Sequence, residues 1–471
     1  MDSRHRWPLT ALIGAMAVTA AASVAGAAPT QNQQDQDIYL ELTNRAVQPI
    51  TIAVPTFSMI SGAEGEANLL HRVLLSDLNY SMVFDLVDPE FYPDVESGDG
   101  PPDFTAWRQT GAEALIRAFV RRPAEPGPDG VPIPGDDLVV EFRLYHVASG
   151  QQIIGKRYYQ QIPITAATIS NTDLRGIAHE FNDEAVFYFT GQYGVASSRI
   201  AYVSSQRGPK EIYVMDYDGY GAQRITNDGG FALNPAYSPD GDRIAYVSYR
   251  SHNGIPNVDI AMLNRGGGIP PVVIRTDGQD SSPEWSPDGS RLVFSSTKDG
   301  IDTGNSEIYT SKPDGSDMQR ITDNSGIDTS PTFSPNGREI AFISTRSGGQ
   351  HLYKISIDGT NLQRLRVEGT QIDSPTWNPN PQLSDLIAYV ASEGGNRFQI
   401  FVYSLSSRRS IPVTRGYGRA DSPSWSPDGR QIVFESAQGG QTHIFAVGLD
   451  GSRLRQLTRQ GNNQSPSWGG R

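Results

Sequence analysis

One recurring phrase in the second half of the chain constrains the fold more than any other feature. It reads Pro, any residue, an aromatic residue, Ser, Pro, Asp or Asn, then Gly. A copy near the middle of the series has no glycine and carries an insertion, and the last copy stops at its aromatic residue. Spacings of 48, 48, 44, 48 and 43 residues separate the copies, and this period is typical of propeller blades that each hold one four-stranded sheet. The first residues of the copies, called the repeat prolines, are Pro235, Pro283, Pro331, Pro375, Pro423 and Pro466.

Each repeat divides into four predicted strands. The aromatic stretch is the first, and Ser-Pro-Asp-Gly then reverses the chain because proline presets φ and glycine accepts a positive φ. A strand such as residues 291–296 follows, then a third strand, a second turn and a short fourth strand. Six third strands are counted, which predicts six blades. They begin near Glu211, Asp259, Glu307, His351, Gln399 and His443.

The first and last repeats are each incomplete in a complementary way. The first starts at Arg199 without an opening strand, and the last, residues 465–468, has only an opening strand. Together they make one blade, which seals the ring and leaves no free sheet edge at the join. We therefore predict an all-β six-bladed propeller over residues 199–471.

The first half of the chain has a different pattern. Residues 1–27 have a basic start, an apolar run at 9–24 and a small-residue cleavage site at 25–27, which indicates a signal peptide. The alternative, a membrane anchor, is disfavoured because the run is short for a bilayer span, and no direct membrane insertion is expected. Residues 47–193 alternate strand and helix patterns and predict an α/β domain. The predicted fold class is thus two-domain, an N-terminal α/β domain followed by an all-β six-bladed β-propeller.

Residues 28–46 predict a flexible, partner-binding segment. Residues 28–37 are polar and rich in Gln, and Ile38, Tyr39, Leu40 and Leu42 then follow in a short apolar strand pattern. A short strand on a flexible tether can add to the sheet of a partner. Alternatively, it forms a static first strand of the α/β domain.

Charge and cysteine content exclude several functions. The formal net charge is −13, so a nucleic-acid partner is not expected. The chain has no cysteine, so its fold uses no disulfide. An acidic soluble surface suits a neutral or basic partner.

Several local phrases resemble the TolB family, the periplasmic components of the Tol-Pal system. They are Trp107-x-x-x-Gly111-Ala-Glu-Ala-Leu115, Ala178-His179-x-x-x-Asp183-Glu184, Arg199-Ile-Ala-Tyr-Val203 and Met215-Asp-Tyr-Asp-Gly-Tyr220. With the signal peptide, the α/β domain and the six repeats, the resemblance covers nearly the whole mature chain. It departs from the repeat pattern at residues 378–386, where the turn is altered.

This resemblance implies a monomeric, non-enzymatic periplasmic protein. It implies that the propeller binds the peptidoglycan-associated lipoprotein Pal and that the mature N-terminus binds TolA through Ile38, Tyr39, Leu40 and Leu42. It also implies a role in outer-membrane integrity and in envelope constriction during cell division.

Aspartates just before the repeat prolines mark a candidate site at one mouth of the propeller channel. Two interpretations remain open: the carboxylates form local turn hydrogen bonds, or they make an acidic socket or a cation site. These aspartates are Asp280, Asp328, Asp373 and Asp421. With their neighbours Gln279, Thr329, Ser330 and Gln371 they are predicted to dock Pal, because they share a repeat position and the family uses this mouth.

Motifs for catalysis are missing from the sequence. It has no Gly-x-Ser-x-Gly elbow, and His179-Glu180 is not followed by a second histidine one helical turn later. We interpret His179 as a solvated surface residue, because it lies off the apolar stripe of its helix. No enzyme activity and no cofactor are expected. The alternative is a periplasmic propeller hydrolase or lyase with a channel-mouth active site.

Overall fold

The structure is a computed structural model, and only part of the chain is described. The described residues are 49–60, 63–94, 100–121, 137–161, 170–227, 230–252, 255–264, 272–395, 397–416 and 418–470. The predicted signal peptide and the segment 28–46, with Ile38, Tyr39, Leu40 and Leu42, lie outside them. No helix in these ranges combines the length and the apolar character needed to cross a lipid bilayer.

The N-terminal domain is a mixed sheet with two long helices packed together. Strand β1 pairs in parallel with β3 and β4, and β4, β5 and β6 continue as antiparallel neighbours, while β2 pairs with β4. Its strands are β1 (Ile50–Ala53), β2 (Ser58–Ile60), β3 (Phe84–Leu86), β4 (Ala114–Arg121), β5 (Asp137–His146) and β6 (Gln151–Gln161). Its helices are α1 (Glu64–Tyr80), α2 (Phe104–Arg108) and α3 (Asn171–Thr190), with a 3-10 turn at Pro89–Phe91. The predicted α/β domain is confirmed.

Helix α3 has defined signals at both ends and closes this domain. Ser170 caps its start, since its Oγ accepts the N–H of Asp173 at 3.2 Å. Gly191 ends it with φ 72°, a left-handed conformation that glycine adopts without strain. Phe181 on α3 stacks on Phe142 of β5 at 4.3 Å between ring centroids, which joins the helix to the sheet.

Residues 199–470 form a ring of six blades. Over the described part of the ring, every blade is a four-stranded antiparallel sheet, and five of them take their strands in chain order from the channel outward. The strands of blades 1 to 3 are β10 (Phe231–Tyr237), β11 (Arg243–His252), β12 (Ile255–Asn264), β13 (Val272–Ile274), β14 (Asp280–Trp285), β15 (Leu292–Ser296), β16 (Glu307–Ser311), β17 (Gln319–Arg320), β18 (Asp328–Phe333), β19 (Glu339–Ser344), β20 (His351–Ser356) and β21 (Gln363–Arg364). Those of blades 4 to 6 are β22 (Thr370–Trp377), β23 (Leu386–Ser392), β24 (Phe398–Ser404), β25 (Arg409–Pro412), β26 (Arg419–Trp425), β27 (Gln431–Gln438), β28 (Gln441–Gly448), β29 (Arg455–Gln456), β30 (Asn463–Trp468), β7 (Arg199–Ser204), β8 (Glu211–Asp216) and β9 (Gln223–Arg224).

Blade 6 joins the two ends of the propeller, as the sequence predicts. Strand β30 is its innermost strand and pairs antiparallel with β7, with Trp468 opposite Ile200. The indole Nε1 of Trp468 also donates to Ser198 Oγ at 2.8 Å. The predicted six-bladed ring and its closure are therefore confirmed.

The repeated turn has a clear physical basis. In blade 2, Ser286 Oγ donates to Asp288 Oδ1 at 2.6 Å and accepts the N–H of Arg291 at 2.9 Å. Hydrogen bonds from Ser286 and from Ser290 lower the pKa of Asp288. Gly289 takes φ 67°, which completes the reversal between the first two strands. The serine, the aspartate and the glycine of the repeat thus act together to form the turn.

The altered turn of blade 4 connects three parts of the molecule. A 3-10 turn, Pro381–Leu383, replaces the missing glycine. Asn380 Nδ2 donates to the carbonyl oxygen of Asp428 at 2.7 Å and is 3.0 Å from Gln192 Oε1. The departure from the repeat thus links blade 4 to the turn of blade 5 and to the residues that follow α3.

The α/β domain lies against one end of the propeller. Tyr217 OH donates to Asp77 Oδ1 at 2.6 Å, and Arg453 NH2 is 2.6 Å from Asp85 Oδ1. Tyr217 and Arg453 lie in turns between third and fourth strands, at the same end of the blades as the Ser-Pro-Asp-Gly turns. The opposite end, called the mouth face, carries the connections into the innermost strands and the turns between second and third strands.

Candidate functional site

The innermost strands surround a central cavity of about 440 Å³. It is lined mainly by the repeat prolines, the residues just before them and the aromatic residues two positions after them. In every blade the residue before the repeat proline has a positive φ, between 46° and 52°, although none is glycine. They are Asn234, Ser282, Ser330, Ser374, Ser422 and Ser465.

A β-bulge accompanies each of these left-handed residues. The register of the first strand shifts at this point in all six blades, for example between Ser281 and Glu284 and between Thr329 and Thr332. A left-handed non-glycine residue costs roughly 1 kcal/mol, and a bulge redirects the side chains that follow it. Because all six blades carry this unfavourable conformation, we infer that the bulge shapes the channel rim.

The four candidate aspartates do not occupy one equivalent position. Asp280 and Asp328 precede their repeat prolines by three residues, whereas Asp373 and Asp421 precede theirs by two. Successive side chains of a strand point to opposite faces, so the two pairs face differently. The expectation of one rim of four equivalent carboxylates is wrong in this respect.

Asp280 and Asp328 are fully buried and bonded within their own surroundings. Asp280 accepts hydrogen bonds from the N–H of Thr276 at 3.1 Å and from Ser296 Oγ at 2.6 Å. Burial raises its pKa to about 6. Asp328 accepts from Arg346 NH2 at 2.6 Å. These two carboxylates order the connections between blades, which is the first of the two interpretations above.

Asp373 and Asp421 are partly exposed and form an acidic sector with Glu435 over blades 4 and 5. Glu435 lies opposite Asp421 in the strand register and accepts the N–H of Ser465 at 2.6 Å. Burial raises the pKa of Glu435 to about 7, and the nearby charge of Asp421 acts in the same direction. Burial and Asp421 also raise the pKa of Asp373. Asp421 is therefore close enough to repel both of the other carboxylates.

Sequence reasoning missed Glu435 because it considered only the first strand of each repeat. A signal was present, since residues at the corresponding register position in other blades are uncharged. They are Val247, Ser295, Ile343, Val390 and Val203.

The remaining predicted contact residues lie on the mouth face with different exposures. Gln279 and Gln371 are exposed, and Thr329 and Ser330 are partly exposed. Phe231 and Ile327 occupy the same position as these two glutamines, four residues before a repeat proline, and are 49% and 46% exposed. The prediction omitted these apolar residues. Blades 1 and 3 therefore add apolar surface to a mouth that is acidic over blades 4 and 5.

The four aspartates are not brought together as a group of potential metal ligands. Within the described ranges, no group of three or more His, Asp or Glu side chains is placed to hold a metal ion. Asp280 and Asp328 are instead engaged by the hydroxyl, amide and guanidinium groups named above.

His179 is buried, which contradicts its interpretation as a solvated surface residue. Its Nδ1 lies 2.7 Å from Asp77 Oδ2, and the same carboxylate accepts the hydroxyl of Tyr217. The helix periodicity identified the face toward the α/β core but not the second face, which packs on the propeller. His179 therefore belongs to the domain interface.

These features define a two-domain protein, an α/β domain on one end of a six-bladed propeller whose other end is a polar and apolar channel mouth. A model of the TolB beta propeller domain matches residues 187–471, and a model of the TolB amino-terminal domain matches residues 38–153. The chain belongs to the TolB family.

Curated relatives and one solved structure agree with this assignment. The Tol-Pal system protein TolB of Geobacter sulfurreducens is 34% identical over 215 residues, 44% of each chain. That of Jannaschia sp. is 32% identical over 241 residues, 49% of each chain. The alignments thus span less than half the length of these relatives. The crystal structure of TolB from Acinetobacter baumannii has a TM-score of 0.69 at 23% identity, covering 90% of this chain and 97% of that chain, and supports the fold.

Proposed function

We propose that this chain is a non-enzymatic, periplasmic protein-interaction component of the Tol-Pal system. It binds Pal through the mouth face and TolA through the segment 28–46, and it supports outer-membrane integrity and envelope constriction in cell division. The observation that carries the proposal is a mouth face with exposed apolar residues and partly exposed acidic residues in a member of the TolB family.

The predicted Pal contacts fall into two groups, residues with surface on the mouth face and residues that are buried. Gln279, Gln371 and Asp373 have surface on the mouth face and can touch a partner. Thr329, Ser330 and Asp421 are partly exposed and belong to the same group. Asp280 and Asp328 act indirectly, because they are buried and hold the connections that present the others.

The proposed TolA site rests on the segment 28–46. Strand addition by Ile38, Tyr39, Leu40 and Leu42 would satisfy backbone groups of the TolA sheet and place alternate side chains in its pockets. This segment precedes the α/β domain in the chain, and that domain lies at the end of the propeller opposite the mouth face.

Isothermal calorimetry with purified Pal and TolA tests both sites. We expect Gln371→Ala with Asp373→Ala to weaken Pal binding at least about tenfold, or about 1.4 kcal/mol, and to spare TolA binding. Removal of residues 28–44 is expected to abolish TolA binding and to leave Pal binding unchanged. Asp328→Ala is unsuitable, because it would leave Arg346 without its buried carboxylate partner.

Asp358→Ala is the matched control, since Asp358 is an exposed turn aspartate at the other end of the blades. It is expected to change neither affinity. Wild-type Pal affinity in the double variant, at an unchanged melting temperature, contradicts the proposed Pal site. Retained TolA affinity in the truncated chain contradicts the proposed TolA site.

A further inference from the structure

One carboxylate lies inside the channel, deeper than the acidic sector of the mouth. Glu284 follows the repeat proline Pro283 and lines the cavity, and among the described lining residues it is the single Asp or Glu. The same position in the other blades is small and uncharged. Those residues are Ala236, Thr332, Thr376, Ser424 and Ser467.

The structural task of this position does not need a carboxylate. Ser424 Oγ accepts the N–H of Trp468 in the next blade at 3.0 Å, and Ser467 Oγ accepts that of Tyr237 at 3.1 Å. Thr332 Oγ1 accepts the N–H of Trp377 in the same way, at 3.1 Å. A hydroxyl at this position is therefore sufficient to accept the backbone N–H of the next blade. We call these hydrogen bonds between neighbouring blades the belt.

Glu284 fills the same place in the belt and still has one oxygen to spare. Its Oε1 accepts the N–H of Phe333 at 3.2 Å and the hydroxyl of Thr332 at 2.7 Å. Both of these bonds use Oε1. The second oxygen, Oε2, is thus available to a group in the cavity.

The charged form of Glu284 is unfavourable when no cation is bound in the channel. Burial raises the pKa of Glu284 to about 7 despite the two hydrogen bonds. No Lys, Arg or His side chain belongs to the described lining of the cavity, so the walls supply no counter-charge. A cation in the channel would offset this cost.

The walls favour an organic cation with a slender stem. Besides the prolines, aromatic side chains line the cavity, and aromatic faces attract ammonium groups. They are Tyr237, Trp285, Phe333, Trp377, Trp425 and Trp468. A cavity of about 440 Å³ falls in the range of roughly 300–1,000 Å³ that holds small ligands. Ca²⁺ or Mg²⁺ is a poorer fit, because each takes about six or more oxygen ligands and Glu284 is the single carboxylate among the described lining residues.

We propose that the propeller channel is a binding site for a protonated alkylamine, whose ammonium group pairs with Glu284 and whose stem lies among the prolines and aromatic rings. The same chemistry is presented by a free polyamine and by a lysine side chain of an inserted protein segment. The site requires neither Pal nor TolA, so it stands independently of the proposed function.

Tryptophan fluorescence of the full chain tests the site, because four tryptophans line the cavity. n-Butylamine at pH 8 is expected to give a saturable change with a dissociation constant of about 1 mM or tighter, and the neutral n-butanol a response at least about tenfold weaker. Glu284→Thr keeps a hydroxyl for the belt and is expected to weaken amine binding at least about tenfold. Spermidine and Nα-acetyl-lysine amide then identify the source: tighter spermidine binding indicates a free polyamine, and the reverse an inserted lysine.

Glu435→Gln is the matched control, since Glu435 is also a buried carboxylate but does not belong to the cavity lining. It is expected to keep the affinity for the amine within about twofold of wild type. An equal loss of affinity in Glu284→Thr and Glu435→Gln would contradict the proposed site, because it would show that the amine responds only to the overall negative charge of the protein. A carbon-13 titration of the Glu284 carboxyl group in the wild-type chain needs no variant. The amine is expected to lower the pKa of Glu284, and the absence of both this shift and a saturable fluorescence change refutes the proposal.

Discussion

Three carboxylates near the channel, those of Asp280, Glu284 and Glu435, have raised pKa values because the protein encloses them. A buried acid with a raised pKa favours its neutral form in the folded state. Hydroxyl and backbone N–H groups donate hydrogen bonds to all three carboxylates and so stabilise them. Protonation of these groups is therefore coupled to folding.

Glu284 predicts how stability changes with pH. Its pKa is about 7 in the folded protein and about 4.5 in the unfolded chain, so the folded state binds more protons between these values. The free energy of unfolding consequently falls as pH rises from about 4.5 to 7, by of order 2 kcal/mol from this residue. We expect Glu284→Thr to reduce the fall in melting temperature between pH 5.5 and pH 8.

The exposed Glu393 supplies a control for this measurement, since Glu393→Gln is expected to leave the pH dependence as it is. Calorimetric melting curves at both pH values give the comparison. Equal slopes for wild type and Glu284→Thr would show that the carboxylate titrates normally in the folded chain.

The sequence was sufficient to find the mouth residues but not to assign their roles. Counting from the repeat proline separates Asp280 from Asp373 by one position, and strand alternation then predicts opposite orientations. The bulge at residues such as Ser282 could not be predicted, because serine has no preference for a positive φ. Burial of Asp328 depends on Arg346, which lies 18 positions further along the chain.

At the scale of elements, the blade 4 turn is the informative exception to the repeat. Gly429 in the neighbouring turn takes φ 72°, and a Cβ there would lie 2.1 Å from Asn378 Oδ1. Asn378 Nδ2 in turn donates to the carbonyl oxygen of Gly429 at 2.9 Å. The altered turn and its neighbour are therefore fitted to each other. The sequence revealed the departure but not this contact, which joins residues about 50 positions apart.

Asn380 predicts the strength of this connection. Asn380→Ala removes the side-chain hydrogen bonds with Asp428 and Gln192 and the one that its Oδ1 accepts from the N–H of Gln382, and their loss is expected to cost about 1–3 kcal/mol. Denaturant unfolding provides the measurement. Gln192→Ala removes only the contact with the segment after α3, so its effect is expected to be smaller. A larger effect of Gln192→Ala would place the main contribution outside the turn.

For the whole molecule, the order and closure of the blades followed from the sequence, whereas the domain interface did not. A repeat period and two incomplete repeats fix the ring, because each blade must supply four strands. The interface instead depends on single polar residues such as Asp77, His179 and Tyr217, which carry no pattern along the chain. Helix α3 packs on the α/β core with one face and on the propeller with another. The apolar periodicity of its sequence identifies only the face toward the α/β core.

The closing strand predicts a global effect of a small truncation. Removing residues 464–471 deletes most of β30, exposes the edge of β7 and removes the buried Trp468. We expect a large fall in melting temperature and loss of solubility, since truncating a buried tryptophan alone costs about 3–5 kcal/mol. Removing only residues 470 and 471 is the control and is expected to have a small effect. An unchanged thermal transition in the longer truncation contradicts closure by β30.

The bond between Trp468 and Ser198 joins residues 270 positions apart, and this separation sets an order of events during synthesis. Ribosomes add about 5–20 residues per second, so β7 emerges roughly 15–50 s before its inner partner exists. Throughout that interval strand β7 of blade 6 has an unpaired inner edge, and the other blades can stack without closing the ring. Blade 6 therefore cannot be completed before residues 463–468 exist, and its closure joins parts of the chain that are far apart in sequence.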